Sequence, residues 1–146
     1  MKDRGIYNLK IRLDRLKTIS VGRLGTFIFS PGYYIYTGSA KKNLLARLER
    51  HKRKKKKLYW HIDYFLRFGK IEDIKIYPWR AGGECLINKK IAKIKGARIR
   101  IPKFGSSDCR CNSHLVYFTK DLSLLKKGQI KDKREEHKDP PFLELV

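Results

Sequence analysis

The 146-residue sequence lacks long apolar runs and has few cysteines. No apolar stretch approaches the roughly 18 residues that a membrane-spanning helix requires, which excludes a typical helical membrane protein. The cysteines number three, and an odd count argues against the disulfide framework of a small secreted protein. The first four residues lead directly into a strand-like segment and show no secretory leader. We therefore expect a cytoplasmic protein.

Acidic residues are also scarce, with 14 Asp and Glu against 36 Lys and Arg, so the formal net charge is +22. An excess of this size is normally neutralised by a polyanion. The sequence lacks the long amphipathic basic helix or lipidation signal of a membrane-surface protein. Aromatic residues, at 12%, offer faces on which bases can stack. We expect nucleic acid as the partner and no membrane; the alternative is a basic surface that is simply solvated.

The periodicity of the apolar residues predicts an α+β fold. The predicted strands cover residues 5–13, 17–22, 26–30, 33–37, 71–77 and 114–118, with a further short strand at 99–101. The predicted helices cover residues 41–53, 58–68 and 84–95. The first four strands have the pattern of an antiparallel meander. We expect a small antiparallel or mixed sheet flanked by about three helices.

The chain length fits a single domain with its own hydrophobic core, and 41% of the residues are apolar. The composition changes near residue 126, and from there to residue 139 the sequence is almost entirely polar. We expect a folded domain over residues 1–125 and a polar, mobile C-terminal tail over residues 126–146.

A group of polar side chains is predicted where the fourth strand meets the first helix. Tyr36, Thr37 and Gly38 are interpreted as the end of a strand in a tight glycine turn. Arg47 and His51 follow at a spacing of four residues, so they share one helix face beside Tyr36. A cation, an imidazole and a phenol at one position suit chemistry on a phosphate.

The motifs of this region, taken in order, resemble those of the GIY-YIG nuclease superfamily. They are Gly5-Ile6-Tyr7, Tyr36-Thr37-Gly38, Asn43-Leu44, Arg47, His51 and Glu84. Residues 59–64 and 104–111 are similar to a small prokaryotic branch of the superfamily that is described as a domain of unknown function. That branch is sometimes fused to an endonuclease III-like glycosylase. The gap between the two tripeptides is longer than in most members, so residues 17–31 are interpreted as an inserted strand or hairpin.

The resemblance implies a GIY-YIG-like core and a metal-dependent endonuclease that hydrolyses phosphodiester bonds in DNA, favoured over RNA, in repair or recombination. It implies that Glu84 holds Mg²⁺ or Mn²⁺. Tyr7 or Tyr36, with His51, would position and deprotonate water, and Arg47 would stabilise the charge of the transition state. A functional link to a base-excision repair glycosylase is also implied. Two alternatives stay open: a catalytically inactive nucleic-acid-binding module, and a zinc-stabilised RNA-associated structural protein.

A run of basic residues lies between the first two predicted helices, at residues 50–57. Such runs are usually solvated, but this one lies just past Arg47, which favours contacts with phosphates. The predicted nucleic-acid-binding set combines this run with neighbouring side chains and consists of Lys41, Lys42, Arg50, Lys52, Arg53, Lys54, Lys55 and His61.

Cys109, Cys111 and His114 follow one another closely, and with the distant Cys85 they offer four ligands of the type that zinc prefers. The spacing is tighter than in the usual pair of cysteines separated by two residues. Three interpretations stay open: buried thiols, a zinc site, or a disulfide between Cys85 and one of the other two. We expect Mg²⁺ or Mn²⁺ as the cofactor ahead of zinc.

Overall fold

Four antiparallel strands form the main sheet of the computed structural model, which describes residues 3–106 and 109–121. The elements, in chain order, are β1 (Gly5–Leu13), β2 (Lys17–Val21), β3 (Gly25–Phe29), β4 (Gly32–Ala40), α1 (Leu44–Lys52), α2 (His61–Leu66), β5 (Lys70–Tyr77), α3 (Gly83–Ala92) and β6 (Leu115–Phe118). The strand order of the main sheet is β5-β1-β4-β6. Within these residues, the predicted α+β fold with three helices is confirmed. The tail predicted at 126–146 lies outside the described residues.

The predicted meander is wrong, because β1 pairs directly with β4, while β2 and β3 form a separate two-stranded hairpin. β1 and β4 are buried along most of their length, as central strands are, whereas alternate residues of β2 are exposed. The hairpin falls within residues 17–31, where the sequence predicts an inserted strand or hairpin. The short strand predicted at 99–101 is also wrong, since in this part of the described chain only Arg98 forms an isolated bridge, with Tyr117.

Helices cover both faces of the main sheet. On one face, Tyr7 and Leu9 of β1 belong to a large apolar cluster that includes residues of α1, α2 and the hairpin. On the other face, Ile6 packs with Ile87 and Ile91 of α3. Neighbouring residues of a strand point to opposite faces, so α1 and α3 lie on opposite sides of the sheet. A site that uses side chains of both helices must therefore form at the ends of the strands.

β4 continues through Gly38 to Ala40, so the turn predicted at this glycine is wrong. Gly38 pairs with Tyr7 across the sheet. A Cβ atom at Gly38 would lie 2.6 Å from the hydroxyl oxygen of Tyr7, closer than a carbon atom can approach without displacing it. Glycine is required here because backbone and phenol are in close contact, which is a recurrent reason for glycine within a strand.

Candidate functional site

Tyr7, Tyr36 and His51 pack together on the face of the sheet that α1 covers. Tyr7 lies on β1, Tyr36 on the adjacent β4, and His51 in the last turn of α1. The hydroxyl oxygen of Tyr7 is 2.7 Å from Nε2 of His51, and the ring centroids of the two tyrosines are 6.5 Å apart. The structure therefore brings together three of the side chains that the sequence analysis assigns to catalysis.

Burial controls the protonation states of Tyr7 and His51. Tyr7 is 1% exposed and His51 is 2% exposed. Burial raises the pKa of Tyr7 above its ordinary value, and Arg47 acts in the opposite direction. Burial, assisted by Lys56, lowers the pKa of His51 to about 4, so both groups are neutral near pH 7. The guanidinium of Arg47 favours the ionised phenol and can only donate, so we assign the phenol proton to the bond with Nε2 of His51.

Ser39 connects the predicted arginine with the predicted metal ligand. Nη1 of Arg47 donates to the carbonyl oxygen of Ser39. The Ser39 hydroxyl donates to Oε1 of Glu84, at an oxygen–oxygen distance of 2.5 Å. Ser39 lies near the C-terminal end of β4, Arg47 lies in α1, and Glu84 lies in the first turn of α3. The end of β4 thus joins two helices from opposite faces of the sheet.

Glu84 borders an open cleft of about 270 Å³. The cleft is lined by Ser39, Trp79, Arg80, Gly82, Gly83, Glu84, Cys85, Gly105, Cys109 and His114. Glu84 supplies the one carboxylate among these lining residues. The guanidinium of Arg4 and the ammonium of Lys41 lie over the Trp79 ring, 5.2 and 5.6 Å from its centroid. Tyr7, Tyr36 and His51 are not part of this lining and are buried.

Arg50 forms an ion pair with the buried Asp63. Nη1 and Nη2 of Arg50 donate to the two oxygens of Asp63 at 2.8 and 2.9 Å. Asp63 also accepts from the backbone N–H groups of Tyr59 and Trp60. Burial alone would raise the pKa of Asp63, but these hydrogen bonds outweigh it and the pKa lies below its ordinary value. The pair joins α1 to α2, which the sequence analysis missed because it assigned Arg50 only to phosphate binding.

Trp60 orients the two arginines of α1. The guanidinium carbons of Arg47 and Arg50 lie 4.7 and 4.5 Å from the centroid of the Trp60 ring. These distances are typical of cation–π contacts, which are favourable and restrict the guanidinium planes. Trp60 therefore helps to hold Arg47 where it reaches Ser39.

The other predicted nucleic-acid contacts divide into two groups. The exposed side chains are those of Lys41, Lys42, Lys52, Arg53 and Lys55. The ammonium of Lys54 donates to the carbonyl oxygens of Leu66 and Gly69. His61 is half-buried, and its Nδ1 accepts from the backbone N–H of Gly105 at 2.8 Å. All five can reach a phosphate backbone, although Lys41 also lies over the Trp79 ring and Lys52 also pairs with Glu49. Lys54, which is itself exposed, and His61 are held by partners within the protein.

The cysteines and His114 converge beside Glu84. One ligand atom from each of Cys85, Cys109, Cys111 and His114 lies within 4.8 Å of all the others. Nε2 of His114 is 3.5 Å from Sγ of Cys109 and 3.9 Å from Sγ of Cys85. The three thiols are free, so the structure contains no disulfide between these described residues. The cluster can bind a metal ion, and its sulfur and nitrogen donors are more consistent with zinc than with magnesium.

His114 also contacts the predicted metal ligand. Its Nδ1 lies 2.7 Å from Oε2 of Glu84, which is an ion-pair distance, although the N–H does not point along the line between the two atoms. Burial opposes the protonation of His114, but Glu84 outweighs it and raises the pKa of the imidazole. The carboxylate of Glu84 therefore contacts both Ser39, which is bonded to Arg47, and His114 of the cysteine cluster.

Besides the Arg50–Asp63 pair and Trp60, the sequence analysis did not single out Ser39 and Trp79. Ser39 directly follows the Tyr36-Thr37-Gly38 motif, and this position in the sequence could have identified it as a site residue. Trp79 had no comparable signal, because it lies between the last residue of β5 and the first residue of α3 and reaches the cleft only through the fold.

No helix within residues 3–106 or 109–121 is both long and apolar enough to cross a membrane.

Comparison with known proteins adds one assignment. Comparison with curated proteins and with solved structures gave no match. A family model described as domain of unknown function DUF123 matches residues 6–135, which is most of the chain. The chain therefore belongs to the DUF123 family.

Proposed function

We propose that this chain is a GIY-YIG-type endonuclease that uses Mg²⁺ or Mn²⁺ to hydrolyse phosphodiester bonds in DNA, in repair or recombination. The observation that carries the proposal is the connection of Arg47 to Glu84 through Ser39. Tyr7 and His51 lie directly beside Arg47. A phosphate-binding cation, a carboxylate and a proton-transfer pair thus lie around the end of one strand. These are the groups that the resemblance assigns to the reaction.

The donors at Glu84 fit a magnesium or manganese ion. Magnesium prefers oxygen ligands and is commonly held by one or two carboxylates, with water and substrate phosphates completing the site. The two oxygens of a carboxylate offer about four lone-pair positions. Ser39 donates to Oε1, and Nδ1 of His114 lies 2.7 Å from Oε2. Glu84 would therefore hold the ion. An ion held by Glu84 would supply Lewis-acid polarisation of the scissile phosphate and stabilise the charge on the leaving oxygen.

Arg47 is the candidate for binding the phosphate charge. Its planar guanidinium has five N–H groups, one of which, on Nη1, donates to the carbonyl oxygen of Ser39. The remaining donors can bind the equatorial oxygens of a phosphate, a contact that strengthens as negative charge accumulates in the transition state. Trp60 and the end of β4 hold the guanidinium in place, so little side-chain freedom is lost on binding.

Tyr7 and His51 form the proposed proton relay. The phenolic oxygen of Tyr7, although only 1% exposed, would accept the proton of an attacking water that reaches it from the cleft while its own proton moves to Nε2 of His51. The phenol would stay neutral and the positive charge would lie on the imidazolium. A phenol with a raised pKa is a poor base by itself. The relay needs a neutral His51, which its low pKa of about 4 provides at physiological pH. The same burial disfavours the imidazolium that the transfer forms, so Nε2 would hold the proton only transiently. Tyr36 packs against both rings and fixes their positions.

Exposed basic residues would hold the DNA backbone next to this centre. Lys52 and Arg53 are exposed at the C-terminal end of α1, and Lys55 is exposed just after it, one turn or more beyond Arg47. Lys41 and Lys42 are exposed between β4 and α1. Contacts of this kind position a duplex without reading its sequence, so recognition of structured or damaged DNA would come from shape.

The proposal is tested by incubating purified protein with labelled duplex, nicked, flap and branched DNA in Mg²⁺ or Mn²⁺. We expect cleavage of at least one substrate, and complete loss of cleavage when EDTA is added. Binding measured by fluorescence anisotropy in EDTA should persist, because the basic residues contact the backbone without the ion. Mock-purified material from cells that lack the gene controls for contaminating nucleases.

Two other results would favour the rival functions. Binding to all of these DNAs with no cleavage in either metal would support a catalytically inactive nucleic-acid-binding module, for which the burial of Tyr7 and His51 is the supporting observation. Preferential binding to RNA without cleavage, together with bound zinc, would support a zinc-stabilised RNA-associated structural protein, for which the cysteine cluster is the supporting observation.

A further inference from the structure

We propose that Cys85, Cys109, Cys111 and His114 bind one zinc ion in a closed four-ligand site, and that the zinc-bound His114 positions Glu84. The first half of this inference stands independently of any enzymatic activity. The second half rests on the proposed function, because it assigns the zinc site a role in holding the carboxylate of the candidate nuclease centre.

The distances within the cluster match the edges of a zinc tetrahedron. With Zn–S bonds of about 2.3 Å and Zn–N bonds of about 2.0 Å, a sulfur and a nitrogen ligand lie about 3.6 Å apart, and two sulfur ligands about 3.8 Å apart. Nε2 of His114 lies 3.5 Å from Sγ of Cys109 and 3.9 Å from Sγ of Cys85. The largest separation in the cluster is within 4.8 Å, so small rotations of the side chains bring all four donors onto one tetrahedron.

The donors come from two parts of the chain that the fold brings together. Cys85 lies in the first turn of α3, whereas Cys109, Cys111 and His114 lie in the loop before β6. Nδ2 of Asn88, one turn further along α3, donates to the carbonyl oxygen of Ser113 at 2.7 Å and is buried. This hydrogen bond holds the loop against α3 whether or not a metal is bound. The cluster is therefore preorganised by bonds that involve none of its thiols.

A zinc ion in this cluster would have a structural role. Four protein ligands fill a tetrahedral zinc site, so no position remains for a reacting water, in contrast to catalytic zinc sites with three protein ligands. Three thiolates and one imidazole also select zinc over the hard ions that Glu84 prefers. The protein would thus hold two different metals close together, and only the one on Glu84 would meet the substrate.

His114 provides the link between the two sites. Its Nε2 faces the sulfur atoms, and its Nδ1 lies 2.7 Å from Oε2 of Glu84. A metal-bound histidine commonly donates its other ring N–H to a carboxylate, which fixes the ring and the carboxylate together. The backbone of His114 is also held, since its N–H donates to the carbonyl oxygen of Phe104 at 2.7 Å. Zinc binding at Nε2 would keep the proton on Nδ1 and hold Glu84 against Ser39.

Zinc binding is tested by the metal content of the purified protein and by the spectrum of its cobalt form. We expect one zinc per chain, and for cobalt-loaded protein the strong visible absorption of a tetrahedral thiolate site. Cys109→Ser should lose the zinc and should have a lower Tm, whereas His61→Asn, which removes a histidine outside the cluster, should retain it. Wild-type protein that contains no zinc, gives no such cobalt spectrum and has the same Tm with and without a chelator would overturn the zinc site.

Positioning is tested with His114→Cys, which replaces an imidazole ligand by a thiolate and removes the contact with Glu84. We expect this variant to retain one zinc per chain and to bind Mn²⁺ about tenfold more weakly than wild type, measured by electron paramagnetic resonance of free Mn²⁺. Loss of zinc from this variant, or an unchanged Mn²⁺ affinity, would overturn the positioning role. If the wild type binds zinc but no Mn²⁺, the positioning role fails together with the proposed function, and the zinc site stands.

Discussion

Glu84→Gln is expected to reduce the rate of DNA cleavage under single-turnover conditions by about a thousandfold. It removes the one carboxylate among the described residues that line the cleft, and with it the proposed metal ligand. A glutamine has the size of glutamate, and its amide oxygen can still accept the hydrogen bond from Ser39. The loss should therefore appear in the chemical step. DNA affinity measured in EDTA should stay within about twofold of wild type, because the exposed lysines are unchanged.

Glu72→Gln is the matched control for this experiment. Glu72 lies on β5 and forms ion pairs with Lys10 and Arg12, at the opposite end of β1 from Tyr7. The same change of charge is thus made far from the cleft, and cleavage should remain within about threefold of wild type. Equal cleavage by Glu84→Gln and wild type, with both proteins folded, would show that the carboxylate has no part in the reaction.

Asp63→Ala is expected to lower the free energy of unfolding by about 3 kcal/mol at pH 7. Asp63 is fully buried and accepts four hydrogen bonds, two from Arg50 and one each from the backbone N–H groups of Tyr59 and Trp60. Alanine would leave these donors without an acceptor and would create a small cavity. Urea denaturation followed by circular dichroism measures the effect.

Asp14→Ala is the matched control for stability, since Asp14 is 73% exposed and pairs only with Arg12 among the described residues. Exposed ion pairs contribute little, so this variant should lose less than about 1 kcal/mol. A loss of the same size in both variants would contradict the structural role of the Arg50–Asp63 pair. A normal stability for Asp63→Ala would contradict the arrangement of α1 and α2.

The pH dependence of the Asp63→Ala effect follows from the direction of the pKa shift. The folded pKa of Asp63 lies below its ordinary value of about 4, so the pair contributes its full stability above that value and loses it as the pH falls through the folded pKa. The difference between wild type and Asp63→Ala should be constant from about pH 8 to about pH 5 and should narrow below about pH 4. His51, with a pKa lowered to about 4, destabilises both proteins to the same extent as the pH falls from about 6.5 towards 4. Asp63 raises the pKa of His51, so below about pH 4 the titration of His51 also contributes to the difference between the two proteins.

The local part of the candidate site could be predicted from the sequence. Arg47 and His51 are four residues apart on one helix, so their common face follows from the helical period. β1 was predicted with its observed bounds, because its apolar residues alternate over nine positions. These predictions depend on neighbours along the chain, where the geometry of a helix or strand determines which side chains meet.

The long-range part could not be predicted in this way. Glu84 lies on a helix that packs against the opposite face of the sheet from Arg47, and the two are connected only because Ser39 stands at the end of β4. The periodicity places Glu84 on a helix face but contains no information about where that helix crosses the sheet. The convergence of Cys85 with the loop before β6 likewise depends on the packing of α3, which brings Asn88 onto Ser113.

Two errors have a specific physical origin. Gly38 was expected to form a turn because glycine usually marks one, but its role is to leave room for the hydroxyl of Tyr7. The first four strands were expected to pair in order, since sequential strands usually do. β1 instead pairs with β4, because both are buried almost throughout and require a partner on each side.

The most direct test of a single catalytic centre is a double-mutant cycle between Arg47 and Glu84. Single-turnover cleavage rates would be measured for wild type, Arg47→Ala, Glu84→Gln and the double variant, with each protein saturated with DNA. Because the two residues would act on the same phosphate, the account predicts that their effects are not additive, and that the double variant cleaves within about tenfold of the slower single variant. Losses that multiply, or two single variants that cleave like wild type, would contradict it.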